Sequence, residues 1–299
     1  MKRLLVTGAS GFIGAACLRR LMDEDYDEIH AVNRSGAGAG GERVRWHAAD
    51  LRDPAQATAL VATVRPSHLL HGAWIATPGV YSQSPENLDW LQGGLALARA
   101  FGEQGGERFV GIGSSAEYEP GDTPCREDET PIRPASLYGQ CKAACRLAVE
   151  AAARHHGFST AWGRLFLPFG PGDTPARLIP SLVAALRAGR TVETSEGRQS
   201  RDFIYAPDAA DLLARFLADT EPGAFNLGTG RGVPVRAVIE RVAERLGAAA
   251  LVRFGARPLA PGEPLHLVAD MAKVRARLGW NAPTPLETAL DRTVETLIA

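Results

Sequence analysis

The sequence has no excess of charge of either sign: 33 Lys and Arg stand against 34 Asp and Glu, a formal net charge of −1. That balance excludes the basic footprint that binds nucleic acid or an anionic membrane surface. Long apolar runs are missing, and Met1-Lys2-Arg3 leads straight into a strand pattern. Neither a signal peptide nor a bilayer span is expected, which makes the cytoplasm the default compartment. Cysteine is scarce. Cys17, Cys125, Cys141 and Cys145 form no C-x-x-C pair, and no histidine stands at ligand spacing from them. Reduced thiols and no metal site are the expectation. No repeat or low-complexity tract interrupts the chain. Its 299 residues, 45% apolar and 22% charged, suffice for one large core or two unequal domains.

What is present begins at Thr7-Gly-Ala-Ser-Gly-Phe-Ile-Gly14, directly behind Leu4-Leu5-Val6. Gly8 permits a tight turn, Gly11 lets backbone approach a phosphate, and Gly14 lets a helix pack closely on a sheet. The N–H groups and dipole of the following helix then face an anion. Gly8, Ser10, Gly11, Phe12, Ile13 and Gly14 are thus the expected cradle of a dinucleotide. Apolar patterning predicts strands over 4–6, 28–32, 44–47, 68–71, 108–112 and 159–164. Helices are predicted over 11–22, 54–64, 87–104 and 137–155. Such alternation predicts an α/β fold, a doubly wound parallel Rossmann-type sheet with ligands beyond the strands' carboxyl ends. Prolines at 168, 171, 175 and 180 loosen the pattern. A dinucleotide-binding domain over 1–165, with return segments near 201–230, and a smaller, discontinuous C-terminal substrate lobe over 166–299 are expected.

Tyr138-Gly-Gln-Cys-Lys142 places a phenol and an ammonium four apart, neighbours on one helix face. A cation there favours the phenolate, and such a phenol can exchange a proton with an alcohol. Arg108-Phe-Val-Gly-Ile-Gly-Ser114-Ser115 sets hydroxyls at a strand end, where one can hold a substrate oxygen.

Together these motifs resemble the extended short-chain dehydrogenase/reductase family, the nucleotide-sugar epimerases, dehydratases and ketoreductases. Asp50-Leu-Arg-Asp53, His71-Gly-Ala73, Arg201-Asp-Phe-Ile-Tyr-Ala-Pro-Asp208 and Phe225-Asn-Leu-Gly228 extend the resemblance nearly end to end. It implies Tyr138 as general acid/base, Lys142 as its activator and ribose holder, and Ser114 as support for the sugar oxygen. It implies Asp50 and Leu51 at the adenine, and Ala73 and Leu165 near the nicotinamide. Relatives pair through two long helices, which implies a homodimer through the helices at 87–104 and 137–155.

The dehydratases carry an acid two positions after the Ser, where this chain has Ala116. Glu117, one step on, would point elsewhere along an extended segment. Gly113-Ser-Ser-Ala-Glu-Tyr118 is similar to the nucleotide-sugar 4-ketoreductases, which implies reduction of a nucleotide-linked 4-keto-6-deoxy sugar. An NAD-dependent 4-epimerase needs the same three residues and stays open, as does a non-catalytic dinucleotide-binding regulator. Val32-Asn33-Arg34 lacks the acid that holds the ribose diol of NAD, and Arg34 could meet a 2′-phosphate. NADP is preferred on that ground, with NAD the alternative. At the substrate end Leu167 stands where relatives have Asn, and Ala260 where they have Arg. Arg177, Arg201 and Arg257 are the remaining diphosphate candidates. Trp74, Ser115, Leu167 and Glu263 complete the expected substrate contacts.

Overall fold

A computed structural model describes residues 1–260, 262–280 and 284–299. The first half of the chain alternates strand and helix: β1 (Arg3–Thr7), α1 (Phe12–Leu21), β2 (Glu28–Asn33), β3 (Val44–Ala48), α2 (Pro54–Val64), β4 (His68–His71), α3 (Glu86–Glu103), β5 (Arg108–Ser114), α4 (Leu137–His156) and β6 (Ser159–Leu165). Shorter elements follow: β7 (Leu167–Phe169), α5 (Leu178–Arg187), β8 (Val192–Glu193), β9 (Ser200–Arg201), β10 (Phe203–Tyr205), α6 (Ala206–Ala218) and β11 (Gly223–Leu227). The chain ends with β12 (Val233–Pro234), α7 (Val235–Arg245), β13 (Val252–Arg253), β14 (His266–Leu267), α8 (Ala272–Leu278) and α9 (Leu286–Ile298).

Seven strands form one sheet in the order β11-β6-β5-β4-β1-β2-β3, and every pairing from β3 to β6 is parallel. The α/β expectation therefore holds. Both faces of such a sheet are covered by helices, so its strands read as apolar runs: Leu4, Leu5, Val6, Leu69, Leu70, Phe109 and Val110 have no exposed surface. Strand order reverses between β1 and β4, the crevice where sheets of this kind take ligands.

By contact density the chain falls into two units. The first comprises Met1–Glu119, Pro131–Leu165 and Ala209–Asn226, and the second Pro120–Thr130, Phe166–Asp208 and Leu227–Ala299. In the second unit α5, α7 and α9 enclose a core of Ile179, Leu182, Val238, Ile239 and Leu290. Asp202, fully buried there, accepts hydrogen bonds from the backbone N–H groups of Thr229, Gly230 and Ala269 and from the Thr229 hydroxyl. No helix among the described residues is long and apolar enough to cross a membrane.

In the first unit the glycines fix how α1 leaves β1. Gly8 lies at φ +71°, and a Cβ there would sit 2.6 Å from the Gly72 carbonyl carbon. A Cβ on Gly14 would run into the Gly8 carbonyl oxygen. Gly14→Ala must push α1 off the sheet, a backbone shift that costs about 1–3 kcal/mol. Thermal unfolding followed by circular dichroism should show a lowered midpoint, together with weaker dinucleotide binding.

Candidate active site

The turn from β1 into α1 ends at Gly11, which caps the helix with extended backbone and no side-chain hydrogen bond. Ser10 and Gly11 are exposed. Among the described residues no side chain caps the first turn of α1, which leaves its N–H groups open to an approaching pyrophosphate. The Thr7 hydroxyl accepts hydrogen bonds from the N–H groups of Gly72 and Ala73, both at 3.2 Å. Its own proton therefore goes to His71 Nδ1, 2.8 Å away, which puts the imidazole hydrogen on Nε2. Buried Nε2 has no hydrogen-bond partner among the described residues and faces the small Gly94 of α3. Burial holds the imidazole down at about 3, so it is neutral at physiological pH, and the Lys142 charge acts in the same direction.

At the end of β2 the Asn33 carboxamide braces the following loop. Its oxygen accepts from the N–H of Ser35 and of Gly36, and its nitrogen donates to the Ala37 carbonyl. Arg34 beside it is exposed. Asp50 follows β3 and is gripped through both oxygens by Arg52, which also reaches Glu86. The hydrogen bonds and charge of Arg52 hold Asp50 down at about 2. Leu51 is buried, and Gly93 of α3 packs against its carbonyl.

Ser114 ends β5, and the backbone does not continue extended. It turns into a short 3-10 helix, Ser115–Glu117, with the Ser114 hydroxyl accepting from Ala116 N–H at 3.1 Å. Ser115 is buried in that turn. The expectation of an extended segment is thus corrected: the Ser114 capping box bends it, and this sends Glu117 into the core. Fully buried, Glu117 accepts from Ser114 N–H (2.9 Å), Trp162 Nε1 (2.8 Å) and Arg164 Nε (3.0 Å). Arg164 also donates to the Tyr118 hydroxyl, which donates to Asn226. Position 116 offers only a methyl group.

The first turn of α4 rides on this 3-10 turn, where Gly139 meets the Ala116 carbonyl with no room for a side chain. The Ser136 hydroxyl caps α4. Tyr138 is half-buried, and its ring meets that of Tyr81 edge-on at 4.8 Å. Lys142, one helical turn on, is buried and donates to the Ile112 carbonyl at 2.8 Å. Burial draws its ammonium down to about 8. Ala73, Trp74, Ser114, Tyr138 and Lys142 thus cluster at the carboxyl ends of β4 and β5, with Leu165 at the end of the adjacent β6. Sequence reasoning passed over the Glu117–Arg164 pair and the roles of Asn87 and Thr7. The signal for the pair, an acid three residues after a Ser at a strand end, is a capping box.

The remaining substrate candidates lie in the second unit. Arg201 donates to Glu263 at 2.7 Å. Arg177 lies 3.6 Å from Asp173, while Arg257 is largely exposed, 3.9 Å from Glu193. Leu167 pairs with Phe203 between β7 and β10. All four cysteines are buried, and burial pushes Cys17 and Cys145 up to about 12. Among the described residues no group of three His, Cys, Asp or Glu could hold a metal ion.

Residues 4–228 match the NAD dependent epimerase/dehydratase family. The chain is 27% identical to the UDP-glucose 4-epimerase of Bacillus subtilis (strain 168), over 95% of this chain and 93% of that protein. It is 25% identical to a dTDP-glucose 4,6-dehydratase of Escherichia coli, over 98% of this chain and 92% of that protein. The solved UDP-glucose 4-epimerase of Thermus thermophilus, a complex with NAD, superposes with a TM-score of 0.88 at 26% identity, covering 99% of each chain. These relatives are epimerases and dehydratases, which moves the resemblance away from the ketoreductases.

The buried charges and the buried imidazole are open to measurement. Glu117→Gln or Arg164→Met breaks the buried ion pair, and chemical denaturation should show a loss of about 3–5 kcal/mol. For His71, the folded value of about 3 lies below the ordinary value near 6.5. Below pH 6.5 the unfolded chain takes up a proton that the folded chain refuses, so stability falls as pH falls, by about 1.4 kcal/mol per pH unit. Urea unfolding between pH 7 and pH 4.5 should show this decline, and it should be shallower in His71→Gln.

Proposed function

Because this chain belongs to the NAD dependent epimerase/dehydratase family, we propose that it is an NAD-dependent 4-epimerase of a nucleotide sugar. The observation that supports this reading is the fate of the 115–118 turn. Its one carboxylate, Glu117, is spent on Arg164, Trp162 and the backbone, and position 116 is alanine. Removal of a ring proton, which elimination of water requires, then has no base in this turn. Proton exchange with a ring hydroxyl through Tyr138 remains.

When bound, the dinucleotide would supply reversible hydride transfer at the sugar carbon. Gly8, Ser10, Gly11, Phe12, Ile13 and Gly14 would hold its pyrophosphate, Asn33 and Arg34 its adenosine ribose, Asp50 and Leu51 its adenine, and Ala73, Leu165 and Lys142 its nicotinamide end. Ser114 donates a hydrogen bond to the sugar oxygen. Tyr138 takes the hydroxyl proton as the carbinol becomes a ketone and gives it back as the ketone is reduced. Lys142 supplies the positive charge that favours the phenolate. Arg177, Arg201 and Arg257 of the second unit carry the forked donors that suit a diphosphate. Exposed Leu88 and Leu95 on α3 and Leu147 on α4 support a homodimer through these helices.

A second reading, reduction of a nucleotide-linked 4-keto-6-deoxy sugar by NADPH, is favoured by one feature. The end of β2 carries no acid, and Arg34 beside it is exposed. Purified protein supplied with NAD and UDP-glucose should form the C4 epimer, read by proton NMR. NADPH oxidation with a 4-keto-6-deoxy sugar, and no epimer from any nucleotide sugar, would replace the epimerase reading by the reductase. Binding without turnover of either would leave a regulator. Tyr138→Phe should lower turnover by about 10²–10⁴-fold while NAD still binds.

A further inference from the structure

The buried ammonium of Lys142 has a seat built by residues outside the reacting set. One hydrogen goes to the Ile112 carbonyl, and the nitrogen lies 4.1 Å from the centre of the Trp74 indole. A cation over an indole face is drawn to the ring's negative quadrupole, more strongly where water is absent. The indole is held from turning away, because its Nε1–H donates to Asn87 Oδ1 at 2.8 Å. Asn87, with no exposed surface, spends its amide hydrogens on the carbonyls of Tyr81 (2.7 Å) and Ser84 (2.8 Å). The same turn reaches α4: the Ser82 carbonyl accepts the N–H of Tyr138, and the Tyr81 ring braces the phenol edge-on. A single side-chain amide thus fixes both the indole beneath the ammonium and the turn against the phenol.

We propose that Trp74, locked by Asn87, is a positioning residue that keeps Lys142 charged and holds it beside Tyr138. The proposal deepens the epimerase reading and rests on it for the roles of Tyr138 and Lys142. Burial works against the charge and draws Lys142 down. The titratable groups that act on it or lie nearby do little to offset this. His71 of β4 is neutral, Cys145 of α4 is a buried thiol, Glu117 is already paired with Arg164, and Tyr138 has its ring centre 5.8 Å away. Together with the Ile112 carbonyl, the indole is a neighbour whose attraction is not taken by another cation. This gives Trp74, expected to line a sugar pocket, a different task.

Lysine occurs at three positions, Lys2, Lys142 and Lys273. Lysine labelled with carbon-13 at Cε therefore gives a readable NMR titration of the full chain, assigned with Lys2→Arg and Lys273→Arg. Trp74→Leu should lower the Lys142 midpoint by about one pH unit, while Trp74→Phe, which keeps a ring, should lower it by less. Global 5-fluorotryptophan labelling weakens the ring quadrupole with little change of shape, and covers the case in which Trp74→Leu does not fold. It should shift Lys142 in the same direction and leave Lys2 and Lys273 unmoved. A Lys142 midpoint unchanged by fluorination, or by Trp74→Leu in folded protein, overturns the proposal. The titration needs no substrate, so its failure is separate from failure of the epimerase reading. A shifted midpoint in a protein that turns over no nucleotide sugar would remove the reaction and uphold the role of Trp74. If turnover is found, the alkaline limb of kcat in Trp74→Leu should move to lower pH by the same amount.

Discussion

A Cβ on Gly8 would lie 2.6 Å from the carbonyl carbon of Gly72, so at the carboxyl ends of β1 and β4 two backbones approach closer than any side chain permits. Gly14 carries the contact onward by letting α1 pack against Gly8 itself. Thr7 secures it from beneath, since one hydroxyl accepts two backbone N–H groups of β4's extension and donates to His71. The result is a narrow reversal point in the sheet, with helix N–H groups left open on one side and the start of the Trp74 segment fixed on the other. The six residues proposed to hold the pyrophosphate, and Ala73 at the nicotinamide end, lie along that point.

The neighbouring strand solves a different problem. β5 must stop at Ser114 and hand the chain over a turn on which α4 can rest. Capping by Ser114 and the inward turn of Glu117 achieve this, and the cost of burying a carboxylate is offset by Arg164, Trp162 and a backbone N–H. Cap and ion pair are one device. The same burial that shapes the turn also removes Glu117 from chemistry, so the fold restricts which reaction the site can run.

Much of this was legible in the sequence because it is local. Three glycines at fixed spacing, alternating apolar runs and Tyr138 four residues before Lys142 are patterns within one element or one turn, and the structure forms those elements. What escaped is non-local. Glu117 and Arg164 are 47 positions apart, and Thr7 and His71 are 64 apart, so no periodicity links them. Asn87 reads as an ordinary first-turn helix residue, and its bond to Trp74 arises only because α3 begins beneath that indole. The 115–117 turn reads as extended in the sequence because nothing in the apolar run of β5 marks where the Ser114 cap ends the strand.

The interleaving of the two units has a consequence for how the chain is made. The first unit does not close at residue 165: its edge strand β11 and most of α6 come from Ala209–Asn226, after a long passage through the second unit. Residues 120–130 lie in the first half of the chain yet belong with the second unit, where Cys125 bridges to Ala269. On a ribosome, which releases the N-terminus first, the first unit cannot finish before Pro120–Thr130 and Phe166–Asp208 of the second have emerged, nor the second before all of the first. Completion of either unit is therefore late, and a fragment cut after residue 165 would leave β6 as an open sheet edge rather than make a smaller working protein.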